Sequence, residues 1–448
     1  MSDNFGLSGD AKAKLLARLS NRAPAQAEER ARPKPPLGRP EVIADLDMVK
    51  RAGEALGIRN PYFRPHEGIA GARTRIEGKS YDNFVSYNYL GLNGDPRVNA
   101  AAKQAIDQYG TSVSASRIVS GERPIHRAFE QALAEVYETE DAITLVSGHA
   151  TNVTVIGHLV GRDDLIVHDS LSHNSIVQGA LASGAQRISF PHNDMNELDR
   201  LLSAARGKAA RALIVVEGHY SMDGDVPDLA RLVAISKAHG AHLMVDEAHS
   251  LGVLGPRGYG IAERTGVNPG DIDIWMGTLS KTLSGCGGYI AGSAELIDYL
   301  KSSAPGFVYS VGLPPPVAAA ALASLQIMHA EPERVAKLQA NAKRFLDAAR
   351  AHGLDTGPSI GAAIVPIMTG SSIVAARAAD RLFDLGINVQ PIIYPAVPEQ
   401  AARLRFFLSS LHEPEQIDRV AEAVAQVMTE VRAERIDLGA LANRLAAE

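Results

Sequence analysis

Five short runs rich in branched apolar residues recur between positions 142 and 278: AITLVS (142–147), LIVH (165–168), ALIVVE (212–217), HLMVD (242–246) and IWMGT (274–278). Stretches with helical spacing separate them, so the order predicts βα units feeding a largely parallel sheet, an α/β fold. The helices carry their own stops, as where Gly240 follows the segment 227–239. In a sheet of this kind ligands sit beyond the carboxyl ends of the strands. The residues that follow each run are therefore the ones to read for chemistry.

At 448 residues the chain exceeds what one core usually fills, about 250 to 300 residues, which predicts a large unit with a smaller one attached. After about residue 330 the pattern turns to longer helices and a few strands. The last helix, expected over 413–435, sets Ile417, Val420, Val424, Val427 and Val431 on one face. At the amino terminus, residues 10–22 read as a short basic helix capped by Ser8 or Asp10, with Leu15, Leu16 and Leu19 as its stripe and Pro24 as its stop. The stretch 23–40 is rich in Pro, Ala, Arg and Glu and reads as an extended linker. A second helix is expected over 41–56, with Val42, Leu46 and Val49 on one face and Gly57 ending it. The expected divisions are an extension (1–40), an amino-terminal segment (41–105), a large domain (106–335), a small domain (336–435) and a tail (436–448).

A net charge of −6 with both signs interspersed gives no basic field for nucleic acid or anionic membrane, and neither partner is expected. The single cysteine, Cys286, excludes an internal disulfide and a multi-cysteine metal site; no metal is expected. No apolar run has the length of a signal peptide or approaches the roughly 18 residues of a membrane span, so a cytoplasmic protein is expected.

Two strand ends carry unusual chemistry. HLMVD ends at Asp246 and continues through Glu247 and Ala248 to His249, and IWMGT ends at Thr278 and continues through Leu279 and Ser280 to Lys281. A desolvated lysine loses basicity and becomes a nucleophile toward carbonyls. The glycines and hydroxyls of GTLSKTLSGCGG would let backbone donors approach a phosphate. Alone, Lys281 reads equally as a surface lysine in a turn, and Asp246 as a turn cap. Together they suit pyridoxal 5′-phosphate (PLP), which needs an amine for its aldehyde and a carboxylate for its pyridine nitrogen. SGHATN (147–152) opens a helix after the first run and offers a phosphate seat at its start. His173 and Ser221, each alone, read first as hydrogen-bonded structural residues.

In order and spacing, the segments YNYLGL (87–92), SGERPIHRAFE (120–130), SGHATN, HDSLSHNSI (168–176), EGHYSMDGD (217–225), VDEAHSLGVLGPRGYG (245–260), GTLSKTLSGCGG (277–288) and RLRFFLSSLHEPEQI (403–417) resemble the α-oxoamine synthase family of fold-type I PLP enzymes. The resemblance implies a mostly parallel seven-stranded sheet sandwiched by helices and a smaller α+β carboxyl-terminal domain. It implies that Lys281 carries PLP as a Schiff base, that Asp246 pairs with the ring nitrogen and that His173 stacks on the ring. It places His249 and Ser221 at the phenolic oxygen, and Ser147, Gly148, His149, Thr278 and Ser280 around the phosphate. Ser310 would reach the phosphate of a neighbouring subunit in a homodimer. Arg405 would hold the amino-acid carboxylate, and Asn88, next to Tyr87, is also expected to bind substrate.

The implied reaction joins a small amino acid (serine, alanine or glycine) to an acyl thioester of coenzyme A or an acyl carrier protein. Lys281 removes the Cα proton, the carbanion attacks the thioester, and loss of CO2 leaves an α-amino ketone. Serine palmitoyltransferase-like members are favoured within the family. The competing readings are another fold-type I activity, such as an aminotransferase, and a silent partner subunit. The chain departs from the family in Tyr87, where many relatives have Asn. It departs also in Phe406 and Phe407, which would narrow or reline an acyl channel, and in the basic extension, which suits either an arm for an acidic carrier protein or an inert tail.

Overall fold

The computed structural model describes Asp10, Lys14 and residues 37–434. The basic helix expected over 10–22, most of the linker and the tail after 435 lie outside the described residues. The chain groups into two compact units, residues 58–437 and residues 1–57 with 438–448. Of the second unit, the described part is a helix, Pro40–Ala55, with proline in its first turn and Leu56 closing it through its N–H to the Ala52 carbonyl. Gly57 follows at a φ of +65°, which suits glycine at a helix end. Val42, Leu46 and Val49 of this helix are exposed.

Thirteen strands build the main unit: β1 Arg73–Ile76, β2 Lys79–Asn83, β3 Asp141–Leu145, β4 Leu165–Asp169, β5 Gln186–Phe190, β6 Ala212–Glu217, β7 His242–Asp246, β8 Ile274–Thr278, β9 Gly288–Gly292, β10 Ile364–Met368, β11 Ile387–Asn388, β12 Gln390–Ile392 and β13 Arg403–Phe407. The seven-stranded sheet runs β3-β9-β8-β7-β6-β4-β5, and β9 alone is antiparallel to its neighbours. The five expected runs are β3, β4, β6, β7 and β8. Four of these are buried along their whole length, and β7 is exposed only at His242, as helix-covered strands require.

Two strands left no mark in the pattern. β5 (QRISF) lies at the sheet edge, mostly uncovered, and has little apolar periodicity to betray it. β9 (GYIAG) sits inside what reads as a glycine-rich loop. Its glycines serve close packing, since a Cβ at Gly288 would lie 2.5 Å from Thr151 Oγ1.

The smaller carboxyl-terminal domain is built on the antiparallel sheet β10-β13-β12, with helices Glu333–Ala351 and Pro414–Ala433. The expected face of the last helix, Ile417 to Val431, is buried as read, worth about 1.5–3 kcal/mol per fully buried side chain. The third sheet, β1-β2-β11, pairs β2 in parallel with β11, so strands of the amino-terminal segment join the carboxyl-terminal part.

The turn after β6, residues 220–226, links the large sheet to the small one. Asp223 on it is ion-paired with Arg403 of β13, and Arg403 also donates to the Met222 carbonyl. On the other side, His192 bridges Asp169 at the end of β4 and Asp225, at 2.9 Å to each. Burial works against a charge on His192, but its hydrogen bonds to Asp169 and Asp225 prevail and raise its pKa from 6.5 to about 10. A proton held more tightly in the fold stabilises it fully below pH 6.5, and that contribution is lost as pH rises through about 10. We therefore expect His192→Gln to lower Tm by a few degrees at pH 7, corresponding to about 1–2 kcal/mol once partial exposure is allowed for. The gap between variant and parent should close in melts near pH 10.5; a gap constant from pH 7 upward would show that the charge is not what matters.

Candidate active site

Because β3, β4, β6, β7 and β8 point the same way, the residues after them gather along one edge of the sheet. At its centre, Asp246 closes β7 and is buried. Its Oδ2 accepts from Asn152 Nδ2 at 2.8 Å and its Oδ1 from the Ala248 N–H at 2.9 Å. Asn152 also donates to Ser175 Oγ at 3.0 Å, while its own Oδ1 is buried without a partner. Glu217, in register with Asp246 across the β6–β7 pair, is buried too, and desolvation, with Asp246 next, raises its pKa to about 8. Burial beside Asp246 thus favours the protonated form of the Glu217 carboxyl.

Lys281, three residues beyond β8, has its Nζ 5.9 Å from the centroid of the Tyr87 ring. Burial lowers its pKa to about 8, against the opposing pull of Asp246 and Glu217, and Arg405 adds to the lowering. An amine in this range has an appreciable neutral fraction near neutral pH, which attack on an aldehyde requires. His173 caps the helix Asn174–Ser183, its Nδ1 2.7 Å from Ser175 Oγ and its N–H donating to Glu217 Oε1 at 2.6 Å. Desolvation lowers its pKa, which favours a neutral ring.

Beside these groups lies a set of donors suited to phosphate. The helix Gly148–Leu159 starts there, with Ser147 as its cap accepting from the Ala150 N–H at 3.3 Å. Thr278 Oγ1 lies 2.9 Å from Ser280 Oγ, and a Cβ at Gly148 would come within 2.5 Å of Thr278 Oγ1. Only glycine brings the helix start this close to the hydroxyls. His149 is exposed and meets the His173 ring edge-on at 6.1 Å.

The small domain supplies the facing wall. On β13, Arg405 and Phe407 share one face and Phe406 takes the other. Arg405 donates through Nη1 to the Ser221 carbonyl at 3.1 Å, which brings Ser221 and Arg405 together. Its Nε is buried with no partner among the described residues, an unmet donor that suits a carboxylate ligand. Phe407 packs edge-on against Tyr87 at 5.1 Å and lies parallel to His249 at 6.3 Å. His249 is buried, and its Nδ1 is 2.7 Å from the hydroxyl of Tyr89.

Three expectations need correction or placing. Phe406 lines no channel: it packs among Phe84 and Phe345 at 5.5 and 4.7 Å in the small-domain core, the outcome of strand alternation. The amide of Asn88 is engaged by the backbone, donating to the Ala70 and Asn93 carbonyls and accepting from the Asn93 N–H, so it holds a loop and both of its donors are committed there rather than to a substrate. Ser310 lies beside Val146 and Arg117, with no hydrogen bond to the other site residues of its own chain. Asn152, Glu217 and Tyr89 stand within motifs quoted from the sequence, yet nothing in residue type or spacing marked them as site residues; their roles come from what the fold sets beside them.

The donor set fits PLP: an amine, a buried carboxylate, a neutral histidine and a helix start with hydroxyls. The family profile described as aminotransferase class I and II matches residues 81–424. The 8-amino-7-oxononanoate synthase of Geobacter sulfurreducens is 44% identical over 393 residues, covering 87% of this chain and 98% of that one. Among solved structures, a serine palmitoyltransferase of Sphingomonas wittichii superposes with a TM-score of 0.83 at 32% identity, covering 88% and 98% of the two chains. A high-resolution SPT structure with PLP gives a TM-score of 0.83 at 31% identity, with the same coverage.

Proposed function

Since this chain belongs to the α-oxoamine synthase family, within aminotransferase class I and II, we propose that its site joins a small amino acid to an acyl thioester. The products are an α-amino ketone, CO2 and free thiol. The observation that carries this reading is the meeting of Lys281 and Asp246 on the large sheet with Arg405 and its unmet Nε on the facing strand. PLP, when bound, supplies an electron sink for the carbanion formed at Cα.

The chain's own residues do the rest. Lys281 would hold the cofactor and would take the substrate Cα proton on Nζ; its lowered pKa suits a base at neutral pH. Asp246, steadied by Asn152 and the Ala248 N–H, keeps the proton on the ring nitrogen. His173 covers the ring, and Ser147, Gly148, His149, Thr278 and Ser280 hold the phosphate. Arg405 would take the substrate carboxylate through its guanidinium, beside the edge-on pair of Tyr87 and Phe407.

The same reading makes the enzyme a homodimer in the cytoplasm. Ser310 would serve the phosphate site of the second copy, in keeping with its lack of a hydrogen bond to the site residues of its own chain and with the exposure of Tyr309 and Val311 on either side of it.

The name of the curated relatives also ranks the substrates. A nine-carbon acid with its ketone at carbon 7 and amine at carbon 8 divides into a seven-carbon acyl group bearing a distal carboxylate and the two-carbon amine that alanine leaves after losing CO2. Alanine with a seven-carbon dicarboxylic thioester is therefore tested first, and serine with a long-chain thioester second. Mass spectrometry of reactions crossing alanine, serine and glycine with both thioesters, each on coenzyme A and on a carrier protein, should show one dominant amino ketone. Pyridoxamine phosphate formed without thiol release would instead make the protein an aminotransferase.

A further inference from the structure

We propose that Tyr89 is a positioning residue that fixes His249 in the tautomer carrying its proton on Nε2, so that His249 donates a hydrogen bond into the site. The inference rests on the reading of the site given above and assigns a task to a residue outside it. Tyr89 is wholly buried, and its hydroxyl lies 2.7 Å from His249 Nδ1, its sole hydrogen-bond partner among the described residues. Both groups are neutral: burial raises the Tyr89 pKa well above 10, and burial, with Lys281 next, lowers that of His249 well below 6.5.

One proton must therefore lie between the two heavy atoms, and there are two ways to place it. If Nδ1–H donated to the phenol, the Tyr89 O–H would be buried with no acceptor, at a cost of about 1–3 kcal/mol. If Tyr89 donates to Nδ1, both groups are satisfied, and the imidazole proton must sit on Nε2. His249 Nε2 has no hydrogen-bond partner among the described residues and is not sealed from solvent, so it is open to a ligand acceptor. An Nε2–H aimed into the site suits an oxygen that carries negative charge, as the phenolic oxygen of PLP does.

The backbone holds Tyr89 for this task. Its carbonyl accepts from the Ser410 N–H at 2.8 Å, and its N–H donates to the Tyr87 carbonyl at 2.7 Å. Its ring packs against Phe407 at 6.2 Å. The hydroxyl that sets the tautomer is thus anchored to the segment following β13, the strand that also bears Arg405.

The test is 15N NMR of histidine-labelled protein without cofactor, with His249→Asn used to assign the signals. The wild-type protein should show His249 as a single tautomer with a protonated Nε2 and an unprotonated Nδ1. Tyr89→Phe, which removes one oxygen, should turn this into a mixture. After loading with PLP, Tyr89→Phe should change the ratio of the cofactor's long- and short-wavelength absorbance bands and lower kcat about tenfold, with the amino-acid KM within about twofold. A wild-type His249 protonated on Nδ1 overturns the proposal without any variant, and so does a Tyr89→Phe protein with unchanged NMR and absorbance spectra. The NMR result is independent of turnover. A confirmed tautomer in a protein that releases no thiol would uphold the role of Tyr89 while removing the assigned reaction.

Discussion

Lys281→Ala is expected to abolish the absorbance band of lysine-bound PLP and to lower kcat by about 10³-fold or more. The loss should be large because the proposed reading gives one side chain two tasks. Without Nζ there is no amine to hold the cofactor aldehyde, and without the same Nζ there is no base at Cα, a contribution of about 10²–10⁴-fold on its own. The fold should not suffer. Lys281 is held in a setting where burial opposes its charge, so truncation removes a desolvation penalty and Tm should stay level or rise. Methylamine supplied in solution should restore part of the rate, since it replaces a base and leaves the remaining walls of the site intact. A variant retaining more than a tenth of the parent activity would show that proton removal happens elsewhere.

Asp246→Asn is the second large effect. The substitution keeps the shape of the side chain and removes the carboxylate that, in the proposed reading, would hold a proton on the ring nitrogen. Preorganised electrostatic partners of this kind are worth about 10²–10³-fold in kcat. The Ala248 N–H and Asn152 Nδ2, which now meet a carboxylate, would meet an amide whose orientation can satisfy only one of them. PLP affinity should therefore fall as well, by about tenfold. Asp246 is also, after burial, the strongest influence raising the pKa of Glu217. In Asp246→Asn the Glu217 carboxyl should titrate below its present value of about 8, measurable by 13C NMR of labelled glutamate. An unchanged kcat would sink the role given to Asp246, whatever happens at Glu217.

The sheet was legible because a buried parallel strand must be apolar along its length, and β3, β4, β6, β7 and β8 are. The place of Asp246 was legible for the same reason: a charged residue at the end of such a run is carried to the edge of the sheet with it. What stayed hidden obeys other rules. β9 is short, reversed and bounded by glycines needed for close packing, so it reads as loop. β5 is an edge strand without the apolar alternation that marks a covered one. Strand parity decided the fates of Phe406 and Phe407. Two adjacent phenylalanines look alike in sequence, yet one fills a core and the other faces Tyr87 and His249. Arg405 was placed through family resemblance alone, since nothing in RLRFF says which arginine turns toward Asp223 and which toward Ser221. Tyr89 shows the same limit: a buried tyrosine is ordinary until its hydroxyl is seen beside an imidazole 160 positions away.

The central claim is that this chain couples decarboxylation to carbon–carbon bond formation at Lys281. Alanine labelled with 13C in its carboxyl group, incubated with the PLP-loaded enzyme and a seven-carbon dicarboxylic thioester, tests it most directly. Labelled CO2, free thiol and amino ketone should appear in equal amounts, and none should form with Lys281→Ala. Thiol release with the label retained in the product, or pyridoxamine phosphate accumulating without thiol, would contradict it.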